Sequence, residues 1–184
     1  MADVILSLAQ VEDLFQELTS DILGYTGEDR NEKVRIAYLR EGVPSFKVED
    51  DVVYIRVNTQ ADPITMQRDV TYTQQDVDNA NRIANYTRVQ TISWIVYGPN
   101  AFDNAELIRR SLYNLTTKRK LASLNLYIVP DATVPVRVPE EHNGRWWDRT
   151  DFTANFNENV KVSAVTPYIK TVNSRYYTAK GEIN

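Results

Sequence analysis

The stretch from Tyr86 to Leu115 constrains the fold more than any other part of the chain. It opens with Tyr-Thr-Arg-Val-Gln-Thr-Ile-Ser-Trp-Ile-Val-Tyr, rich in β-branched and aromatic residues that suit a pleated, packed surface. Ile92, Trp94 and Val96 share one face of this strand and Val89, Ile95 and Tyr97 the other, so its end is expected to be covered on both sides. Gly98-Pro99-Asn100 stops it, because Pro99 has no N–H to give a ladder and Gly98 permits a sharp bend. A helix follows, capped by Asn100 or Asp103. Asp103 and Glu106 lie at its electropositive start, and Arg109, Arg110 and Lys118 toward its end. Ala105, Ile108, Leu112 and Leu115 recur at helical spacing and fold one stripe back onto the strand. No catalytic group lies inside this nucleus.

Elsewhere the elements are read from period and punctuation. Ser7 and Gln10 have the form of a capping box. Leu8, Val11, Phe15, Leu18 and Ile22 follow at 3-4-3-4 spacing on a helix ended by Gly24. Val4, Ile5 and Leu6 precede it as a staple or as a contact to another subunit. Gly24 to Lys33 reads as a polar loop. Val34–Arg40 reads as a strand turning at Glu41–Pro44, and Asp51–Asn58 as another, with Val53, Ile55 and Val57 on one face. Leu124–Val129 is a further strand closed by Pro130. Pro135 and Pro139 keep the next stretch out of any central strand position. His142-Asn143-Gly144 makes a turn. Phe152, Ala154, Phe156, Val160 and Val162 then alternate along a long antiparallel strand, interrupted only by Glu158.

Two stretches do not fit a compact body. Thr59–Arg82 is rich in Thr, Gln, Asp and Asn, and loops of such length are uncommon in compact domains. It is either an extended hairpin arm, with Val70–Thr73 pairing inside it, or a mobile loop. The last twenty or so residues alternate weakly (Tyr168, Lys170, Val172) and form an added edge strand or an arm. The expected architecture is α+β: a twisted, mainly antiparallel sheet packed by two helices on one side. A single domain spans 1–184, with the loop or arm near 59–82 and a C-terminal extension near 163–184.

Composition narrows the function. With 184 residues, 42% of them hydrophobic, the chain can bury a core. No run of 18 apolar residues is present, so no membrane span is expected, and no basic start precedes the apolar N-terminus, so neither is a signal peptide. The absence of cysteine excludes disulfides, thiolate metal sites and cysteine nucleophiles. A net charge of −4 argues against general nucleic-acid binding. The charge is uneven: residues 1–160 carry 17 bases against 24 acids, a net −7, and from Lys161 onward four bases oppose one acid, a net +3. An acidic body with a basic tail can attract a copy of itself head to tail, or the tail is merely solvated.

No catalytic, cofactor or metal site is expected. His142 is the only histidine, which excludes multi-histidine metal cages, and it sits beside a turn. Glu49-Asp50-Asp51 and Glu140-Glu141 read as solvated edge charges. The six glycines are scattered, with no phosphate loop. The unusual local feature is Asn143-Gly-Arg-Trp-Trp-Asp-Arg149. Adjacent tryptophans in a strand point to opposite faces, so either one packs inward and the other faces outward or is covered by another chain, or both sit in a thick two-layer core. The candidate subunit-interface residues are Arg145, Trp146, Trp147 and Arg149, with Arg68 and Tyr72 from the polar stretch and Lys170 and Arg175 from the tail.

Trp94-Ile-Val-Tyr-Gly-Pro-Asn-Ala-Phe-Asp-Asn104, the Ala-Glu-Leu-Ile-Arg-Arg helix after it, and Asn143-Gly-Arg-Trp-Trp-Asp-Arg-Thr-Asp-Phe152 together resemble the neck-terminator or tail-terminator proteins of tailed bacteriophages. The resemblance runs over roughly residues 50–165. It implies a structural virion protein rather than an enzyme, made in the host bacterial cytoplasm and placed at the head–tail neck. It also implies a homohexameric ring that stops the tail tube and meets the tube protein, a head-completion protein (adaptor or stopper) and the tail sheath. DNA would leave through the channel without sequence-specific binding. The alternative implied is another tail component, a tube or baseplate protein. The family supplies no cofactor and no catalytic residue.

Overall fold

The first helix shows how directly the sequence sets the local structure. In the computed structural model, which describes residues 5–37, 46–142, 144–167, 169, 171, 176–178 and 181–183, α1 runs from Leu8 to Leu23. The Ser7 hydroxyl accepts from the Gln10 N–H and the Gln10 side chain accepts from the Ser7 N–H, which satisfies two otherwise orphaned donors. Gly24 closes the helix in the left-handed region at φ 76°. The stripe that buries is Val11, Leu14, Phe15 and Leu18, whereas Leu8, at the open first turn, is 59% exposed.

The remaining elements follow in order. α2 (Asp29–Lys33) is a short helix where a loop was expected, and its charges suit the dipole, with Asp29 and Glu32 early and Lys33 late. β1 (Val34–Ile36) leads to β2 (Val52–Gln60) and a 3₁₀ turn at Pro63–Met66. β3 (Asp69–Gln74) and β4 (Asn79–Tyr97) form a hairpin. α3 (Ala101–Ser111) and α4 (Leu115–Ala122) come next. β5 (Leu126–Ile128), β6 (Val136–Arg137), β7 (Glu140–His142), β8 (Arg145–Trp147) and β9 (Arg149–Pro167) complete the body. Among the described residues β10 (Tyr176–Thr178) and β11 (Gly181–Ile183) pair with each other and with no other strand. Residues 38–45, with the turn expected at Glu41–Pro44, lie outside the described residues, as does Asn143.

Seven strands make one mixed, mostly antiparallel sheet, and the fold is α+β, with four helices among the described residues rather than two. Its path is β1-β2-β4-β9-β5, with β1 parallel to β2 and the rest antiparallel. The single helix expected over Ala105–Leu115 breaks in two. Asn114 takes an extended backbone (ψ 145°) that a helix cannot pass through, so Leu115 is 63% exposed and Leu121 of α4 is buried in its place.

The core lies between the helices and one sheet face. Val53, Ile55 and Val57 of β2, Ile92, Trp94 and Val96 of β4, and Phe152, Ala154 and Phe156 of β9 meet α1 and α3 there. Trp94 is fully buried. It stacks on Phe152 at 4.7 Å, meets Phe15 edge-on at 6.0 Å, and donates its indole N–H to Thr19 Oγ1 at 3.0 Å. Gly98 adopts φ 113°, and a Cβ there would fall 2.4 Å from Asp51 Oδ1, so only glycine fits the turn. Asp51 also starts α3 by accepting from the Asn100 N–H (3.0 Å) and side-chain amide (2.8 Å). Asn100 is the N-cap residue, one of the two the sequence suggested, but its side chain makes no capping bond and turns to Asp51 instead.

Glu158, which breaks the alternation of β9, faces the same side as Phe156 and is 1% exposed. Its carboxylate accepts from Arg88 Nε (2.7 Å) and Nη2 (2.9 Å), Gln90 Nε2 (3.0 Å) and the Leu6 N–H (2.9 Å), while Arg88 also donates to the Leu6 carbonyl. The segment before α1 is thereby tied to the middle of the sheet.

Candidate assembly surface

β4 and β9 are each nineteen residues long and pair along their whole length, well beyond the core. The core cluster takes no residue from β4 before Ile92 or from β9 after Phe156. The far ends of these strands, with β3, form a three-stranded arm. β2 and β3 occupy the same side of β4 in succession, β2 along Val89–Tyr97 and β3 along Ala80–Asn85. The sequence suggested β4 only from Tyr86, because Asn79, Asn81, Arg82 and Asn85 interrupt the apolar signal of Ala80, Ile83 and Ala84.

At the opposite end of β4 the tryptophan motif forms a hairpin. β7 pairs with β8 from Glu140↔Trp147 to His142↔Arg145, and Gly144 supplies the positive φ of 73° that the tight turn needs. The two tryptophans separate. Trp147 is half-buried against Phe46, ring centroids 5.0 Å apart, within a cluster that includes Tyr54 and Tyr97. Trp146 is 67% exposed, and Arg145 is exposed beside it.

Arg149 is committed within the chain. It grips Asp151 with two bonds (2.9 and 2.7 Å) and reaches Glu140 at 3.0 Å, and Glu140 also accepts the Tyr97 hydroxyl at 2.8 Å. Glu140 and Asp51, read as solvated edge charges, are therefore structural. The Tyr97 bond first and Arg149 second hold Glu140 below the usual carboxylate range. The bond to Asp151 is the main cause that raises the Arg149 guanidinium. Burial, then the bond to Glu140, pushes the Tyr97 hydroxyl from 10.0 up to about 12. A folded-state value above the unfolded one gives stability that is complete below pH 10 and lost as pH rises toward 12. Chemical denaturation across that range is expected to show the loss, and Tyr97→Phe is expected to reduce it.

The remaining candidates are dispersed. Tyr72 is 62% exposed on β3. Arg68 lies over the Tyr86 ring, 3.9 Å from its centroid, and donates to the carbonyls of Thr65 and Gln67. Lys170 and Arg175 lie outside the described residues. Tyr72 pairs with Arg82 and Arg149 with Tyr97, so at about 3.3 Å per residue the two groups are about 50 Å apart along β4. The structure therefore presents two separate surfaces rather than one site.

Sequence reasoning missed Val134, Val136 and Val138, which are 64%, 55% and 41% exposed on the edge beside β9 and lead toward the tryptophan hairpin. Their period of two was the available signal, but Pro135 between them and Pro139 after them argue against a regular strand. Exposed apolar groups in such a row are characteristic of contact surfaces.

Among the described residues no three His, Cys, Asp or Glu side chains gather as a metal site, and no helix is long and apolar enough to cross a membrane. An apolar hollow of about 470 Å³ between α4 and β5 is lined by residues such as Leu121, Tyr127 and Pro130.

Among curated proteins no sequence matches the chain. A family model does, over residues 9–181, and its description is phage neck terminator protein. The match reaches back over α1, which the motif resemblance at roughly 50–165 did not cover. Extending over most of the sequence, it shows that the chain belongs to the phage neck terminator family and is a structural protein of the phage neck.

Proposed function

We propose that this chain assembles with itself into a hexameric ring at the head–tail neck, where it terminates the tail tube and joins it to the head-completion complex. The central opening gives DNA its passage from the capsid. The observation that carries this reading is the neck terminator match over residues 9–181. The shape of the chain supports it, because a ring needs two different surfaces that meet head to tail. The arm, with β3 on one side of β4 and β9 on the other, and the opposite end with Trp146 and Val136 offer unlike surfaces for such contacts.

The net charge of −4 fits a channel that DNA traverses without being held, since tight phosphate contact needs clustered Lys and Arg. The role is architectural rather than catalytic. The partners are further copies of the chain, the tail tube protein, an adaptor or stopper protein of the neck and the tail sheath. Electron microscopy of purified protein and of assembled particles tests the reading. A six-fold ring at the neck is the expected result; a chain that is monomeric at high concentration and in virions overturns it.

A further inference from the structure

The outer side of β3 is an open strand edge. β3 pairs with β4 on one side, and among the described residues no strand pairs with the other. All six of its residues are exposed. Natural sheets guard such edges with lysine, proline, bulges or a covering element. β3 reads Asp-Val-Thr-Tyr-Thr-Gln, with no lysine or proline and a single charge at its first residue, and its ladder to β4 runs without a bulge. Arg68, the adjacent cation, is folded back over Tyr86, which leaves Asp69 as the charge on the strand. The composition is that of a strand ready to pair.

We propose that this edge is completed by the segment following Pro167 of a second copy of the chain. The proposal rests on the reading of the chain as a ring subunit and names the joint between neighbours. Pro167 ends the β9 ladder opposite Asn79, at the same end of the arm where β3 stops with Gln74 opposite Ala80. β9 and β3 flank β4 on opposite sides. Pro167 is thus across β4 from its own β3, and in a head-to-tail row that side of the arm faces the β3 edge of the next copy.

The occupant suits the edge. Tyr168-Ile-Lys-Thr-Val172 is β-branched and aromatic apart from one lysine, and Ile169 is 79% exposed. The charges are complementary as well. After Pro167 three bases (Lys170, Arg175, Lys180) oppose one acid, whereas Thr59–Asp78 carries four acids (Asp62, Asp69, Asp76, Asp78) and one base. In strand addition of this kind, main-chain bonds supply affinity and alternate side chains supply selectivity.

The absence of cysteine makes the joint directly testable. Neighbouring strands lie about 4.8 Å apart, within the span of about 4.4–6.8 Å that a disulfide bridges between Cα atoms. Full-length Thr71→Cys is mixed with full-length chains carrying one cysteine at each position from Ile169 to Asn173 in turn, and oxidised. Thr71 is exposed, and circular dichroism checks that the fold is retained. The expected result is a two-chain band for one or two of the mixtures and for neither component alone, weakened when the copies are mixed at high salt. A two-chain band from Thr71→Cys alone means that two β3 edges pair symmetrically and overturns the proposal. A bridge formed only within a chain carrying both cysteines means that the tail folds onto its own β3, with the same consequence. A six-fold ring without any such bridge removes this joint and leaves the proposed function standing. A chain that never assembles removes both.

Discussion

Glu158→Ala is expected to destabilise the folded chain by about 3–5 kcal/mol, because truncation leaves the partly buried Arg88 guanidinium facing the sheet without its partner. The carboxylate accepts four hydrogen bonds, two from Arg88 and one each from Gln90 and the Leu6 N–H. Its loss frees the segment before α1 as well as the centre of the sheet. Urea denaturation measures the first effect, and hydrogen exchange at the Leu6 amide reads the second. The pair as a whole need not stabilise relative to apolar side chains of similar volume, since both charges lost hydration on folding. The combined variant Arg88→Met with Glu158→Leu is therefore expected to recover part of the loss, the Gln90 amide and the Leu6 N–H still lacking their acceptor. A single variant that costs under about 1 kcal/mol would show that water reaches the carboxylate and replaces its partners.

Trp94→Ala is the second large effect, at about 3–5 kcal/mol, the range for removing a buried aromatic side chain. Trp94 is the largest fully buried side chain and joins three elements. Its ring stacks on Phe152 of β9, meets Phe15 of α1 edge-on, and bonds to Thr19 of α1. Alanine leaves a cavity between the sheet and α1 and an unpaired Thr19 hydroxyl. Trp146→Ala provides the contrast. At 67% exposure Trp146 contributes little to the isolated fold, so its change is expected within about 0.5 kcal/mol. An equal loss for the two tryptophans would mean that the β7–β8 hairpin is part of the cooperative core.

The core was legible in the sequence because its signals are local. Alternation placed Ile92, Trp94 and Val96 on one face of β4, and the Ser7–Gln10 box and Gly24 bounded α1. What the sequence concealed depends on distant partners or on tertiary choice. Glu158 reads as an interruption because Arg88, seventy positions away, neutralises it. Glu140 and Asp51 read as loose surface charge because their partners Arg149, Tyr97 and Asn100 come from other elements. The α3–α4 break rests on the backbone angle of Asn114, which an uninterrupted apolar stripe does not reveal. Of the candidate surface, strand geometry puts Trp146 and Trp147 on opposite faces, but that Trp146 is the exposed one depends on the distant Phe46 covering Trp147. The internal use of Arg149 and the folding back of Arg68 were hidden too, since a basic residue shows nothing in sequence of where its charge is spent.

The unbroken pairing of β4 with β9 has a mechanical consequence. Body and arm are made from the same two strands, joined by nineteen consecutive rungs, so no loop between them can serve as a hinge. A pull along the strands at the arm's tip is shared as shear across all those rungs at once, and a sideways push is carried to the stacked rings of Trp94 and Phe152. The arm behaves as a stiff lever with its fulcrum in the hydrophobic interior, and strain at one extremity of the molecule is felt at the other.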